Sequence, residues 1–160
     1  MTRAASVIAL AIGDPNGIGP EIAVKAAARL ASDSALRVVL VGDAHVIRWY
    51  AQRCAFSLDS FDILNVDALP VDAFKPGEVS AAAGAATLAY VRAALDLARA
   101  GHADAVIACP HSETAINASG TMASPIGSVF QIDSVALRLR WNITWGLRAA
   151  GVAWMSSVNW

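Results

Sequence analysis

Apolar residues fall in short unbroken runs, and the stretches between the runs carry helical spacing or turn residues. The run Ser6 to Ile12, SVIALAI, is apolar on both faces, which predicts a strand in the middle of a sheet with helices on each side. Gly13 to Gly19, GDPNGIG, predicts a loop. Pro20 then stands where a first helical residue should, because proline loses no needed hydrogen bond there. Glu21 follows and suits the positive end of the helix dipole. Ile22, Ala26 and Leu30 recur at helical spacing and predict the face turned to the sheet.

The pattern repeats. Leu36 to Val41, LRVVLV, predicts a second buried strand, closed by Gly42 and Asp43. A helix is predicted from about Ala44 to Cys54, and a weaker strand over Phe61 to Val66. Asp67 to Glu78 reads as a loop, with Pro70 and the Lys75-Pro76-Gly77 turn. Ser80 to Ala100 is the longest helical stretch, with Leu88, Val91 and Leu95 on one face and Arg92, Asp96 and Arg99 on another. Its first half, SAAAGAA, is built of small residues that let a neighbour approach closely. Gly101 is placed to stop it. Ala105 to Cys109 predicts another buried strand ended by Pro110, and Ser112 to Ser119 a short helix followed by Gly120. Strand and helix alternate throughout, which predicts an α/β three-layer sandwich with a mostly parallel sheet.

At Gly120 the pattern breaks. Residues 121–160 hold four of the five tryptophans, alternate poorly and lack capping signals, although Val135 to Trp141 has the composition of a strand with Arg138 and Arg140 on its polar side. We expect two segments, an α/β lobe over 1–120 and an atypical tail over 121–160. The tail is either the product of a shifted or truncated reading frame or a divergent ending that packs over the sheet.

Composition narrows the class. Apolar residues make up 56% and charged residues 16% of the 160, which excludes a disordered chain and predicts a large core, with bare core surface if the lobe stands alone. The net charge of -1 and the lack of a basic stripe argue against nucleic-acid binding. Arg3 followed by an apolar run mimics a short signal peptide, but a turn-rich segment follows at once with no small-residue cleavage site. No apolar run reaches 18 residues, so no membrane span is expected. Cys54 and Cys109 form no CxxC pair, and we expect both to be reduced in a cytoplasmic protein.

Two segments carry candidate chemistry. Gly13 to Ile22, GDPNGIGPEI, lies past the end of a central strand, where a parallel sheet opens its ligand crevice. Gly17 and Gly19 permit unusual backbone turns, Asp14 can accept backbone hydrogen bonds, and the helix that follows presents amide groups to an anion. Asp14, Asn16, Gly17 and Gly19 are therefore a candidate cleft loop and anion site, set against a plain structural turn. The dinucleotide spacing G-x-G-x-x-G and the Walker Gly-Lys-Ser/Thr are both absent. The second segment bunches His111, Ser112, Glu113, Thr114 and Asn117 past the end of another strand. His111 can donate to a substrate oxygen, and Ser112 or Glu113 can bind a hydroxyl; the alternative is that Ser112 merely caps a helix. Asp43 either caps the next helix or edges the crevice. Cys109 fits a core position better than a nucleophile. His45, His102 and His111 are too scattered to form a metal-ligand set.

GDPNGIGPEI, GEVSAAAGAATLAYVRAALDLARAGHADAVIACP and HSETAINASG stand in the order and spacing of the 4-hydroxythreonine-4-phosphate dehydrogenase (PdxA) family. The resemblance covers Ser6 to Gly120, about three quarters of this chain, and about a third of a two-lobed family member. Pro-His-Ser-Glu-Thr-Ala is similar above all to the branch that includes cis-dihydrodiol dicarboxylate dehydrogenases. The resemblance implies a fold like isocitrate and isopropylmalate dehydrogenases, truncated here to about one lobe, and a homodimer that completes each site. It implies oxidation of a hydroxy acid with NAD, followed by decarboxylation, with a divalent metal such as zinc, magnesium or cobalt as Lewis acid. It places substrate contacts at Ser112 and Glu113. Glu113 would repel a phosphate, which favours a cis-dihydrodiol carboxylate or a four-carbon sugar acid over phosphorylated hydroxythreonine. The family's three metal-binding histidines lie beyond the point matching Gly120, so no metal ligand is assigned and weak or no turnover is expected. The rival from another class is a non-catalytic assembly module with Ser80 to Ala100 as its dimer face.

Overall fold

The computed structural model describes residues 5–57, 59 and 61–120. The expectations for residues 121–160, including the strand over Val135 to Trp141, lie outside the described residues. Four strands, β1 (Ser6–Ala11), β2 (Leu36–Gly42), β3 (Asp62–Asn65) and β4 (Ala105–Ala108), form one parallel sheet in the order β3-β2-β1-β4. The helices are α1 (Gly19–Leu30), α2 (Ala44–Arg53), α3 (Ala81–Arg99) and α4 (Glu113–Ala118), with a 3-10 turn at Val71–Ala73. β1 is central, as its apolar run predicts, and its second half is fully buried.

The chain steps from β1 to β2 to β3 in one direction, then returns through α3 to place β4 on the other side of β1. With right-handed crossovers, α1 and α2 cover one face and α3 the other, which makes the three layers. The reversal leaves a topological switch point between the carboxyl ends of β1 and β4, the place where open α/β sheets bind ligands.

Two predicted faces are rotated from their expected positions. α1 buries Ala23, Val24 and Ala27, whereas Ile22 is 43% exposed. Ile22, Ala26 and Leu30 instead border an apolar groove of about 240 Å³, whose other walls include Ile8, Val38 and Ile107. α3 buries Ala83, Thr87, Tyr90 and Ala94, and Leu88, Val91 and Leu95 are only half-buried. Small residues win the sheet-facing positions because α3 must also admit α4. Gly84 sits so close to α4 that a Cβ there would lie 2.0 Å from the Ala115 carbonyl oxygen. The small-residue stretch around Gly84 therefore packs against α4 within the chain. Near the end of α3, Arg99 pairs with Asp96 at 3.4 Å.

β4 also differs from expectation. It is an edge strand among the described residues, and Ile107 is 49% exposed. The apolar run AVIAC indicates burial on both faces, but burial also needs a neighbouring strand. No described helix is long and apolar enough to cross a membrane. Cys54 and Cys109 are both free thiols.

Candidate functional site

Backbone contacts lock the loops after β1 and β4 together. The Asp14 amide donates to the Pro110 carbonyl at 3.1 Å, and the Cys109 amide donates to Ala11 at 2.9 Å. Gly13 adopts φ +76, and a Cβ on it would lie 2.2 Å from the Pro110 oxygen. A Cβ on Gly19 would lie 2.4 Å from the Ile12 oxygen. The glycines thus serve close strand-end packing. The left-handed turn falls at Gly13 rather than at Gly17 or Gly19, because Gly13 is where the chain reverses against β4.

Asp14 is 5% exposed and fixes the loop as its position suggests: Oδ1 accepts from the Asn16 amide at 2.9 Å, and its carbonyl accepts from Gly17 at 3.0 Å. Asn16 has a different task from the one expected of it. Its side-chain oxygen accepts from the Lys75 amide at 2.9 Å, its Nδ2 donates to the Glu78 carbonyl at 3.2 Å, and its own carbonyl accepts from Gly77 at 2.7 Å. These bonds use the amide to staple the Lys75-Pro76-Gly77 turn across the glycine loop rather than to meet an anion. Tyr50 on α2 donates to the Gly17 carbonyl at 2.8 Å, with Trp49 and Phe74 packed edge-on around its ring. Thr87 on α3 lies under Gly13 and donates chiefly to Ala83 at 2.8 Å. Tyr50 and Thr87 escaped the sequence reading because their partners lie more than thirty residues away or within their own helix.

Burial raises the Asp14 carboxyl above its ordinary range, because it strips water from the charged form. The Asn16 and Gly17 amides and the charge of His111 act the other way. A carboxyl raised on folding contributes stability that is present below its unfolded value and lost as pH rises through the folded one. At neutral pH the ionised group therefore costs stability. Asp14→Asn is expected to melt at the same or a higher temperature than the parent at neutral pH, and to lose that advantage below the ordinary carboxyl range. Thermal unfolding at the two pH values tests this. A variant that melts lower at neutral pH and recovers in acid contradicts it.

On the β4 side, Ser112 caps α4, its Oγ accepting from the Ala115 amide at 3.2 Å. Its capping role is thus realised, while the hydroxyl proton stays available for donation. Glu113 occupies the first turn of α4 and is exposed, and His111, whose charge acts on Asp14, is half-buried. Asp14 follows β1, and His111, Ser112 and Glu113 follow β4, so all four stand on the loops that the Asp14 amide–Pro110 bond ties together at the switch point. Burial pushes the Cys109 thiol up to about 11, so it is a neutral core group rather than a nucleophile. Asp43 stands at the N-cap position of α2, but its side chain does not cap the helix: the buried carboxylate accepts from the Ala68 amide (2.8 Å), the Leu69 amide (2.6 Å) and the Tyr90 hydroxyl (2.7 Å). Among the described residues no three His, Cys, Asp or Glu side chains gather as a metal-ligand set.

An open parallel sheet covered by helices, with polar groups past the ends of β1 and β4, defines an α/β lobe. The chain belongs to the family of the pyridoxal phosphate biosynthetic protein PdxA, which it matches over residues 23–131, past the change of character at Gly120. It is 39% identical over 114 residues to a 1,2-dihydroxy-3,5-cyclohexadiene-1,4-dicarboxylate dehydrogenase of a Comamonas species, covering 71% of this chain and 36% of that protein. The crystal structure of a terephthalate 1,2-cis-dihydrodiol dehydrogenase from Burkholderia xenovorans LB400 is similar at 60% identity and a TM-score of 0.64, covering 74% of this chain and 38% of that one. A 4-hydroxythreonine-4-phosphate dehydrogenase from Burkholderia phymatum is similar at 26% identity and a TM-score of 0.66, covering 78% and 42%. The chain thus spans about two fifths of the length of these relatives.

Proposed function

We propose that this lobe supplies the substrate edge of a dehydrogenase that oxidises a hydroxy acid with NAD, with divalent-metal assistance and subsequent decarboxylation. The observation that carries the reading is the placing of Asp14, His111, Ser112 and Glu113 on the tied loops at the β1/β4 switch point of a PdxA-family chain. His111 donates to substrate oxygens, Glu113 accepts from a substrate hydroxyl, and the stapled glycine loop keeps the edge rigid. An exposed carboxylate in the first turn of α4 disfavours a phosphorylated substrate and favours a cis-dihydrodiol carboxylate or a four-carbon sugar acid. The name of the Comamonas relative supports that choice.

The described residues do not fit the implied metal, since they hold no ligand set. The glycine loop also lacks the G-x-G-x-x-G spacing of a dinucleotide site, and Gly13 and Gly19 serve close packing against strand-end backbone. The part of the described residues in the reaction is to bind and orient the substrate. Metal, cofactor and a homodimeric partner belong to the complete family site, and the two free cysteines support a reducing cytoplasmic setting. We propose that the 160-residue chain itself turns over weakly or not at all.

Absorbance of NADH tests both halves of the reading, using this chain and its full-length relative with zinc, magnesium or cobalt. A cis-dihydrodiol carboxylate is expected to react with the relative and not with the chain. Metal-dependent NAD reduction by the chain at ordinary enzyme rates contradicts its assignment as a substrate edge alone. Binding of 4-hydroxythreonine-4-phosphate in preference to the diol contradicts the role of Glu113.

A further inference from the structure

β4 pairs with β1 on one side and, among the described residues, with no strand on the other. Edge strands are ordinarily guarded by a charged side chain, a proline or a bulge. Ala105–Ala108, AVIA, holds neither a charge nor a proline. Asp104, just before it, is turned inward: its amide donates to the Val7 carbonyl at 2.8 Å, and its Oδ2 accepts from the Val7 amide at 2.8 Å. Beside this unguarded edge lies the apolar groove between α1 and the sheet, with Ile22 and Ile107 both more than two fifths exposed. None of the residues lining the groove carries a charge. Edge and groove together ask for burial that the described residues do not supply.

We propose that the β4 edge and the α1 groove form an interface with a second copy of this 160-residue chain. Two β4 strands meet antiparallel about a twofold axis perpendicular to the sheet, which doubles the sheet and keeps each face on its own side. The two grooves then adjoin on one face, and Ile22 and Ile107 of each copy are covered by the other. Charge favours a second copy as the occupant. A twofold contact sets each charge near the axis against its own kind, and here the groove has none and the whole chain carries only -1. A charged partner would bury its charges in the groove with nothing to pair them. The contact is smaller than the roughly 20–30 residues a side of a standard interface. Dissociation is therefore expected in the micromolar-to-millimolar range.

Sedimentation of the 160-residue chain across that concentration range tests the interface, with circular dichroism as the check of fold. The mass is expected to rise from monomer to dimer and stop there, because a twofold contact closes on itself. Amide exchange across Ala105–Ala108 should slow as concentration rises. Ile107→Lys is expected to weaken the dimer by more than about tenfold, since the twofold sets two lysines against each other. Ile22→Lys, on the opposite wall of the groove, gives a second reading should the strand variant lose its fold. Val71→Lys, at a position 72% exposed and outside the groove, should leave the dimer unchanged. A monomer at every concentration overturns the proposal, as does assembly that continues past the dimer. A dimer indifferent to both groove lysines places the interface elsewhere and overturns it too. A monomer whose β4 amides are protected at every concentration shows the edge covered from within its own chain, and equally overturns it.

Discussion

Asp43→Ala is expected to lower the unfolding free energy by about 3–5 kcal/mol, a loss seen when a buried polar network is broken. Asp43 is fully buried at the end of β2, and its two oxygens satisfy the Ala68 and Leu69 amides and the Tyr90 hydroxyl. Alanine leaves all three donors without their acceptor in a dry site, each costing about 1–3 kcal/mol before relaxation. Burial, the largest cause of the raised Tyr90 hydroxyl, persists when Asp43 is removed, so Tyr90 is not expected to relieve the loss by ionising. Tyr90→Phe removes one donor and keeps the two amide bonds, so a loss nearer 1–2 kcal/mol is expected. Urea denaturation of the two variants checks the order. A loss below about 1 kcal/mol for Asp43→Ala would mean that water or another acceptor replaces the carboxylate.

Gly84→Ala is the second large effect, and its sign opposes helix propensity. Alanine in a helix interior ordinarily gains about 1 kcal/mol over glycine. Here the added Cβ meets the Ala115 carbonyl oxygen at 2.0 Å and the Ile116 nitrogen at 2.6 Å, so backbone rather than a flexible side chain must yield. A net loss of about 2–3 kcal/mol is expected, typical of overpacking. The displaced element is α4, which begins at Glu113 directly after the Ser112 cap, so ligand binding at this edge should fall with it. Gly101, with open space around its Cβ position and φ +74, has no such neighbour and tests strain from φ alone. A stabilised Gly84→Ala would show that α4 docks less closely than the structure has it.

The elements were largely legible because each strand is a compact apolar run and each helix has a stop or cap: Pro20 opens α1, Ser80 caps α3 through the Ala83 amide, and Gly101 ends it. Which face of a helix is buried was less legible. Periodicity ranks Leu88 and Leu95 above Ala83 and Ala94, but the space left by α4 and the sheet reverses that order. At the candidate site, the position of both loops followed from their place after β1 and β4, and Asp14 was recognisable as a loop-fixing carboxylate. The roles of Asn16, Tyr50 and Asp43 were not, since each is defined by a partner brought near only by the fold. Gly13 and Gly19 carry the same lesson: the close packing of two strand ends that they permit is visible only in the fold.

Amide chemical-shift mapping of the chain with cis-1,2-dihydroxycyclohexane-1-carboxylate tests the central claim most directly, that ligand enters at the carboxyl ends of β1 and β4. The account predicts shifts concentrated in the loop from Gly13 to Gly19 and from Cys109 to Thr114. Shifts confined to the opposite end of the sheet, around Arg37 and Asp62, or to the apolar groove at Ile22 and Ile107, would contradict it.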